Sequence, residues 1–212
     1  MNRTSIAGVG GVAFGILTFV AILVGSPVGG TYKASDVADY VAKGHRTAVF
    51  ISFVLVVLAG VGLVCLLGRL REAVAGDARG LGHVFWGLGL ASAASWVAGF
   101  AVVVAPPISQ AYGGTEAAID PKVAYTISET GWVILIGAGG MLLGFALLAL
   151  ALGSRGTLPG WLRGATIVGG LGGIASLAFF PFYLLLIWSL VVGVWLIIAG
   201  NAPASMQAEI RT

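Results

Sequence analysis

Charge is what this sequence has least of: 9% of its 212 residues are Asp, Glu, Lys or Arg, against roughly 25% in an ordinary soluble domain. A water-soluble fold needs polar surface in proportion to its area, so a chain with this deficit turns much of its exterior to something other than water. With 58% hydrophobic residues and a mean hydropathy of +1.04, that medium is lipid. Cysteine is nearly absent as well. The single Cys65 excludes an internal disulfide and a multi-cysteine metal site, and its place inside an apolar run reads as a small packing residue. Histidine occurs twice, at His45 and His83, and the two fall on opposite sides of the expected membrane, where they cannot converge on one metal ion. No metal and no cofactor is expected. The eleven Lys and Arg residues are scattered among short loops and form no stripe or arm, which excludes nucleic acid as a partner.

What the sequence does have is long apolar segments. Those at 5–25, 47–68, 83–105 and 131–153 are each long enough to cross about 30 Å of hydrocarbon at roughly 1.5 Å per residue. The first follows Arg3 as a signal peptide would, but 22–25 has no small-x-small cleavage site, so it reads as a retained span. Arg69, Arg71 and Glu72 end the second. Pro106 and Pro107 are expected to end the third, because they remove two backbone donors and fix φ. Glu129 and Arg155 bracket the fourth. Residues 164–200 carry no charge, and as one helix they would extend about 55 Å, nearly twice the hydrocarbon thickness. A hinge at Phe179-Phe180-Pro181-Phe182-Tyr183 therefore divides them into spans 164–180 and 182–200, an antiparallel hairpin. The expected fold class is all-α: one polytopic transmembrane bundle of six spans.

Alternate connections differ in charge. One side holds Arg3, Arg69, Arg71, Arg79, Arg155, Arg163 and Arg211; the other holds Lys33, Lys43, Arg46 and Lys122, outnumbered by Asp36, Asp39, Glu116, Asp120 and Glu129. By the positive-inside rule both termini are cytoplasmic, and the expected location is the plasma membrane. In the first outer loop Ser35 is placed to cap a short helix, with Asp36 at its positive dipole end and Gly44 closing it. Val37, Tyr40 and Val41 share a face opposite Asp36, Asp39 and Lys43, the pattern of a helix lying on the membrane surface. In the second, Asp120 followed by Pro121 reads as N-cap and first helical position, leading into span four.

Glycine is abundant. Gly8, Gly10, Gly11 and Gly15 in span one have the same spacing as Gly137, Gly139, Gly140 and Gly144 in span four, and Gly169, Gly170, Gly172 and Gly173 form a related cluster in span five. Two readings fit: small-residue faces where helices pack closely, on Gly8, Gly11, Gly15, Gly137, Gly140, Gly144, Gly169 and Gly173, or a three-plus-three inverted repeat of the kind that underlies many transporters. No Lys-Ser/Thr pair follows these glycines, so they are not phosphate loops.

No ionisable residue falls near an expected midplane, where proton relays and ion-coupled carriers place them. The serines and threonines there read as helix back-bonding or cross-helix hydrogen bonds. Candidate ligand residues stand at the span edges: Glu129 with Tyr125, His83, and His45 with Arg46. Glu129 is placed to face an outward cavity or to sit solvated in a first turn, and Arg46 to meet a lipid phosphate or to snorkel.

Residues 35–40, Leu70-Arg71, the 158–162 connection Leu-Pro-Gly-Trp-Leu and Phe180-Pro181-Phe182 resemble features of a group of six-span actinobacterial membrane proteins that has no assigned function. The resemblance implies an actinobacterial plasma membrane and carries over no active-site residue. The functional expectation is a membrane protein without a catalytic site: an accessory subunit, or a binder of lipid or another apolar ligand, with a homo-oligomer or a membrane partner subunit as its company. The alternatives are a small-solute transporter or channel and a membrane enzyme acting on a lipid.

Overall fold

In a computed structural model of the chain, the residues described are 2–74, 78–112 and 119–201. Glu116 and Arg211 of the charge count, and the side chain of Lys43, lie outside them. The described residues form eight α-helices: α1 (Arg3–Gly25), α2 (Ala34–Val41), α3 (Arg46–Arg71), α4 (Arg79–Tyr112), α5 (Pro121–Trp132), α6 (Gly140–Gly153), α7 (Gly160–Ile174) and α8 (Tyr183–Asn201). No strand occurs among them. A π-helical segment, Val133–Gly139, joins α5 to α6 as one rod, and short 3-10 turns occupy Lys43–His45, Ala175–Ala178 and Phe180–Phe182.

Five stretches are long and apolar enough to cross a bilayer: Arg3–Gly25, Arg46–Arg71, Arg79–Tyr112, Pro121–Gly153 and Phe180–Asn201. Their outward faces carry large apolar side chains such as Ile16, Leu23, Leu58 and Val61, each about half exposed, which water would penalise and lipid does not. The protein is therefore embedded in a membrane. α7 has 15 residues and is the short member. Leu177 sits against Gly137 and Ser176 against Gly140, so the α7–α8 turn stops about 9 Å short of Gly131 on the neighbouring rod.

Glycine pairs set the helix order. Gly10 meets Gly62 where α1 crosses α3, Gly8 meets Gly193 where α1 crosses α8, and Gly144 meets Gly170 where α6 crosses α7; a Cβ added at any of Gly8, Gly10 or Gly144 would come within 2.6 Å of the partner's carbonyl oxygen. Without side chains at these points the backbones approach directly, which is how helices gain contact when lipid supplies no hydrophobic drive. All these pairs are antiparallel. Asn2 and Ser5 accordingly meet Gly200 and Asn201 at the end that also carries Arg69, Arg71, Arg79, Arg155 and Arg163, the basic end. The opposite end carries α2.

Several local expectations are corrected. α4 does not end at Ala105: it runs through Pro106 and Pro107 to Tyr112. Lys33, not Ser35, stands at the N-cap of α2, and Ser35 Oγ instead donates to its neighbour Asp36. Gly44 closes no helix; α2 stops at Val41 and Gly44 lies within the next 3-10 turn. The apolar face of α2 packs on protein. Val37 and Tyr40 are buried against the ends of α4 and α5. Asp120 caps α5 as expected, its Oδ1 accepting from the Lys122 amide at 2.7 Å. The expected span 164–180 is α7, Gly160–Ile174, and the 3-10 turn Ala175–Ala178 follows it before Phe179, at a positive φ of 63°, turns the chain ahead of Pro181.

Candidate functional site

α4 at 34 residues and the α5–α6 rod at 33 each measure about 50 Å, well over the hydrocarbon thickness, so both project at the α2 end. There the α5–α6 rod carries two of the expected ligand residues, Tyr125 and Glu129. Glu129 Oε1 accepts the Gly30 amide at 3.0 Å, Tyr125 Oη donates to the Gly30 carbonyl, and Trp132 Nε1 donates to the Val28 carbonyl at 3.0 Å. Three successive turns of α5 thus fasten the linker that follows α1. His45 Nε2 lies 2.8 Å from the Gly25 carbonyl oxygen, and Arg46 begins α3 half-buried beside it. His83 is exposed at the basic end, because α3 and α4 run antiparallel. The structure therefore joins Glu129 to Tyr125 through one backbone residue, keeps His45 and Arg46 at the same end, and separates His83 from all four.

Two further residues complete this end, and sequence reading missed both as partners. Pro107 has no amide to give the Val103 carbonyl four residues back, and its ring pushes that carbonyl outward. Tyr40 Oη, at 3.1 Å, and Ser128 Oγ, at 3.0 Å, both donate to it. This substitution of hydroxyls for a peptide N–H lets α4 continue through the proline pair. Burial pushes the Tyr40 phenol pKa well above its ordinary value, so the group remains a donor.

The middle of the bundle is packed. Phe14, Trp96 and Phe182 are fully enclosed, with ring centroids 5.1 Å apart for the first pair and 5.8 Å for the second. Apart from the Tyr40 hydroxyl and the indole N–H groups of Trp96 and Trp188, the buried polar residues among those described are Ser or Thr. Ser92 donates to Gly139 and Ser176 to Ile136, both at 2.7 Å, supplying donors to carbonyls within the π-helical segment; Ser52, Thr166 and Ser189 bond back to their own helices.

The glycine motifs face different neighbours. Gly8, Gly11 and Gly15 meet α8, whereas Gly137, Gly140 and Gly144 meet α7 and the turn that follows it. A three-plus-three repeat would make α4 the counterpart of α8, so the second set should meet α4. Each set serves its own crossing, and Gly169 and Gly173 of α7 face Trp188 and the α6 backbone respectively.

Two concavities among the described residues bear on function. One, of about 240 Å³, lies at the α2 end between Ser26, Val28, Lys33, Asp36 and Tyr125. The other, of about 400 Å³, is a lateral groove between α3 and α4, lined by Val57, Gly60, Val61, Cys65, Leu90 and Ala94 among other apolar residues. Cys65 is exposed there. Its lining offers no polar group, so composition gave no sign of it; the signal available was the run of small residues at helical spacing on two adjacent spans. The chain matches no protein-family model, no curated protein and no solved structure, so geometry carries the functional reading.

Proposed function

We propose that the chain is a six-span plasma-membrane protein without a catalytic site, both termini cytoplasmic, that holds the apolar chain of a lipid in the groove between α3 and α4. α7 is the remaining crossing in this count, and the basic end faces the cytoplasm by the positive-inside rule. The plasma membrane is the location that the resemblance to the six-span actinobacterial group implies.

One observation carries this reading: the groove between α3 and α4 is lined by apolar side chains, while the bundle centre is filled by Phe14, Trp96 and Phe182. A solute carrier needs a polar path through the middle, and an enzyme needs a base beside a nucleophile. Glu129, the strongest acid candidate, is engaged by the Gly30 amide. The polar concavity at the α2 end favours a second reading, in which a small solute binds between Lys33, Asp36 and Tyr125.

Reconstitution tests the two. Liposomes carrying the protein should leak small solutes no faster than empty ones, and the purified protein should retain phospholipid through extended detergent washing. Solute flux above background, or preparations stripped of lipid yet fully folded, would reject the proposal.

A further inference from the structure

Beyond the groove's lining, toward the basic end, α3 and α4 bring Arg71 and Trp86 together. From Val57 to Cys65 the groove runs about 12 Å, which fits within one leaflet of about 15 Å. The groove is open along its length and lined by apolar side chains, so an acyl chain can lie along it from the hydrocarbon. One turn toward the basic end from Leu90, Trp86 lies across to α3, where Gly68 leaves room for it: a Cβ on Gly68 would stand 3.8 Å from the ring. The Arg71 guanidinium sits over the Trp86 ring at 5.7 Å. Among the described residues Glu72 pairs with Arg69, and Arg71 is exposed. His83 is exposed one turn further along the same face of α4. An indole beside an exposed arginine, one turn beyond an apolar groove at the basic end, is complementary to a lipid with a negatively charged head.

Resting on the lipid-binding reading above, we propose that the groove takes an anionic phospholipid from the leaflet at the basic end, one acyl chain between α3 and α4 and the phosphate at Arg71. Arg71 and Trp86 set the headgroup preference; Gly60, Val61 and Ala94 set the fit of the chain. A second protein copy is the competing occupant, and it would place a helix across the groove mouth against Cys65.

The full-length protein, washed in detergent and offered equal phosphatidylglycerol and phosphatidylcholine, is extracted and its bound lipid quantified by mass spectrometry. Wild type should enrich phosphatidylglycerol about fivefold, the ratio that one basic residue at the membrane surface supplies at about 1 kcal/mol. Arg71→Gln should bring the ratio near unity with total lipid unchanged, and Arg71→Lys should keep it. Ala94→Phe, at an exposed position that tolerates bulk, should reduce both lipids. A ratio unchanged in Arg71→Gln overturns the headgroup assignment and leaves the groove reading intact. Full lipid retention in Ala94→Phe overturns both. Oxidative or bismaleimide crosslinking of wild type through Cys65 into a dimer would assign the groove to a second copy and overturn the lipid.

Discussion

Glu129 shows what a carboxylate at a membrane edge does when a backbone amide is within reach. Its hydrogen bond to Gly30, with that of Tyr125, holds the linker before α2, and the exposed Lys33 lies in that linker. Replacing Glu129 with Ala should speed trypsin cleavage after Lys33 about fivefold, as loss of roughly 1 kcal/mol of local stability implies. Global melting should shift little, and an unchanged cleavage rate would show that the clasp holds nothing. Tyr40 has a pH signature. Its phenol pKa is raised by burial, so the folded state keeps a proton that the unfolded chain releases above about pH 10. The stability it contributes is fully present below that pH and is lost as pH rises beyond it. Stability, followed by denaturation between pH 9 and 11.5, should fall more steeply for wild type than for Tyr40→Phe, and parallel curves would contradict the buried donor.

At the scale of the element, α4 carries the sharpest test, because its continuity depends on other helices. Removing both Tyr40 Oη and Ser128 Oγ, as Tyr40→Phe with Ser128→Ala, orphans the Val103 carbonyl and should cost about 1–3 kcal/mol beyond the sum of the single changes. Adding Pro107→Ala returns a peptide amide to that carbonyl and should remove most of the excess. Additive behaviour with and without the proline would refute the exchange. The α6–α7 crossing gives a second test. A leucine at Gly144 cannot fit against the Gly170 carbonyl and should destabilise by about 1–3 kcal/mol, whereas Gly87→Ala, with open space around the new Cβ, should change unfolding by under about 0.5 kcal/mol. Sequence reading located most of these elements: the Asp120 cap, the aromatic hinge and the apolar runs all announce themselves locally. It misplaced the end of α4, since a proline pair stops a helix unless a hydroxyl from elsewhere answers the freed carbonyl, and Tyr40 lies sixty-three residues away.

For the whole molecule, topology is the quantity to measure. In a Cys65→Ala background, a cysteine at Asp120 should react with an impermeant maleimide on intact cells, and one at Arg155 only after permeabilisation. The reverse pattern would invert the bundle and move Arg71 and Trp86 to the outer leaflet.

Composition and segment length by themselves determined that this chain is helical and lives in lipid. In hydrocarbon each peptide group must find its partner within its own helix, so the covalent sequence suffices to fix the rods. Which rods touch, where backbones meet at Gly10 with Gly62 or Gly144 with Gly170, and where a groove runs between α3 and α4 were decided only in the tertiary structure. Lipid is as apolar as leucine, so hydrophobicity cannot choose between neighbours; shape at small residues and a few hydroxyl-to-carbonyl bonds make that choice, and neither is ordered along the chain.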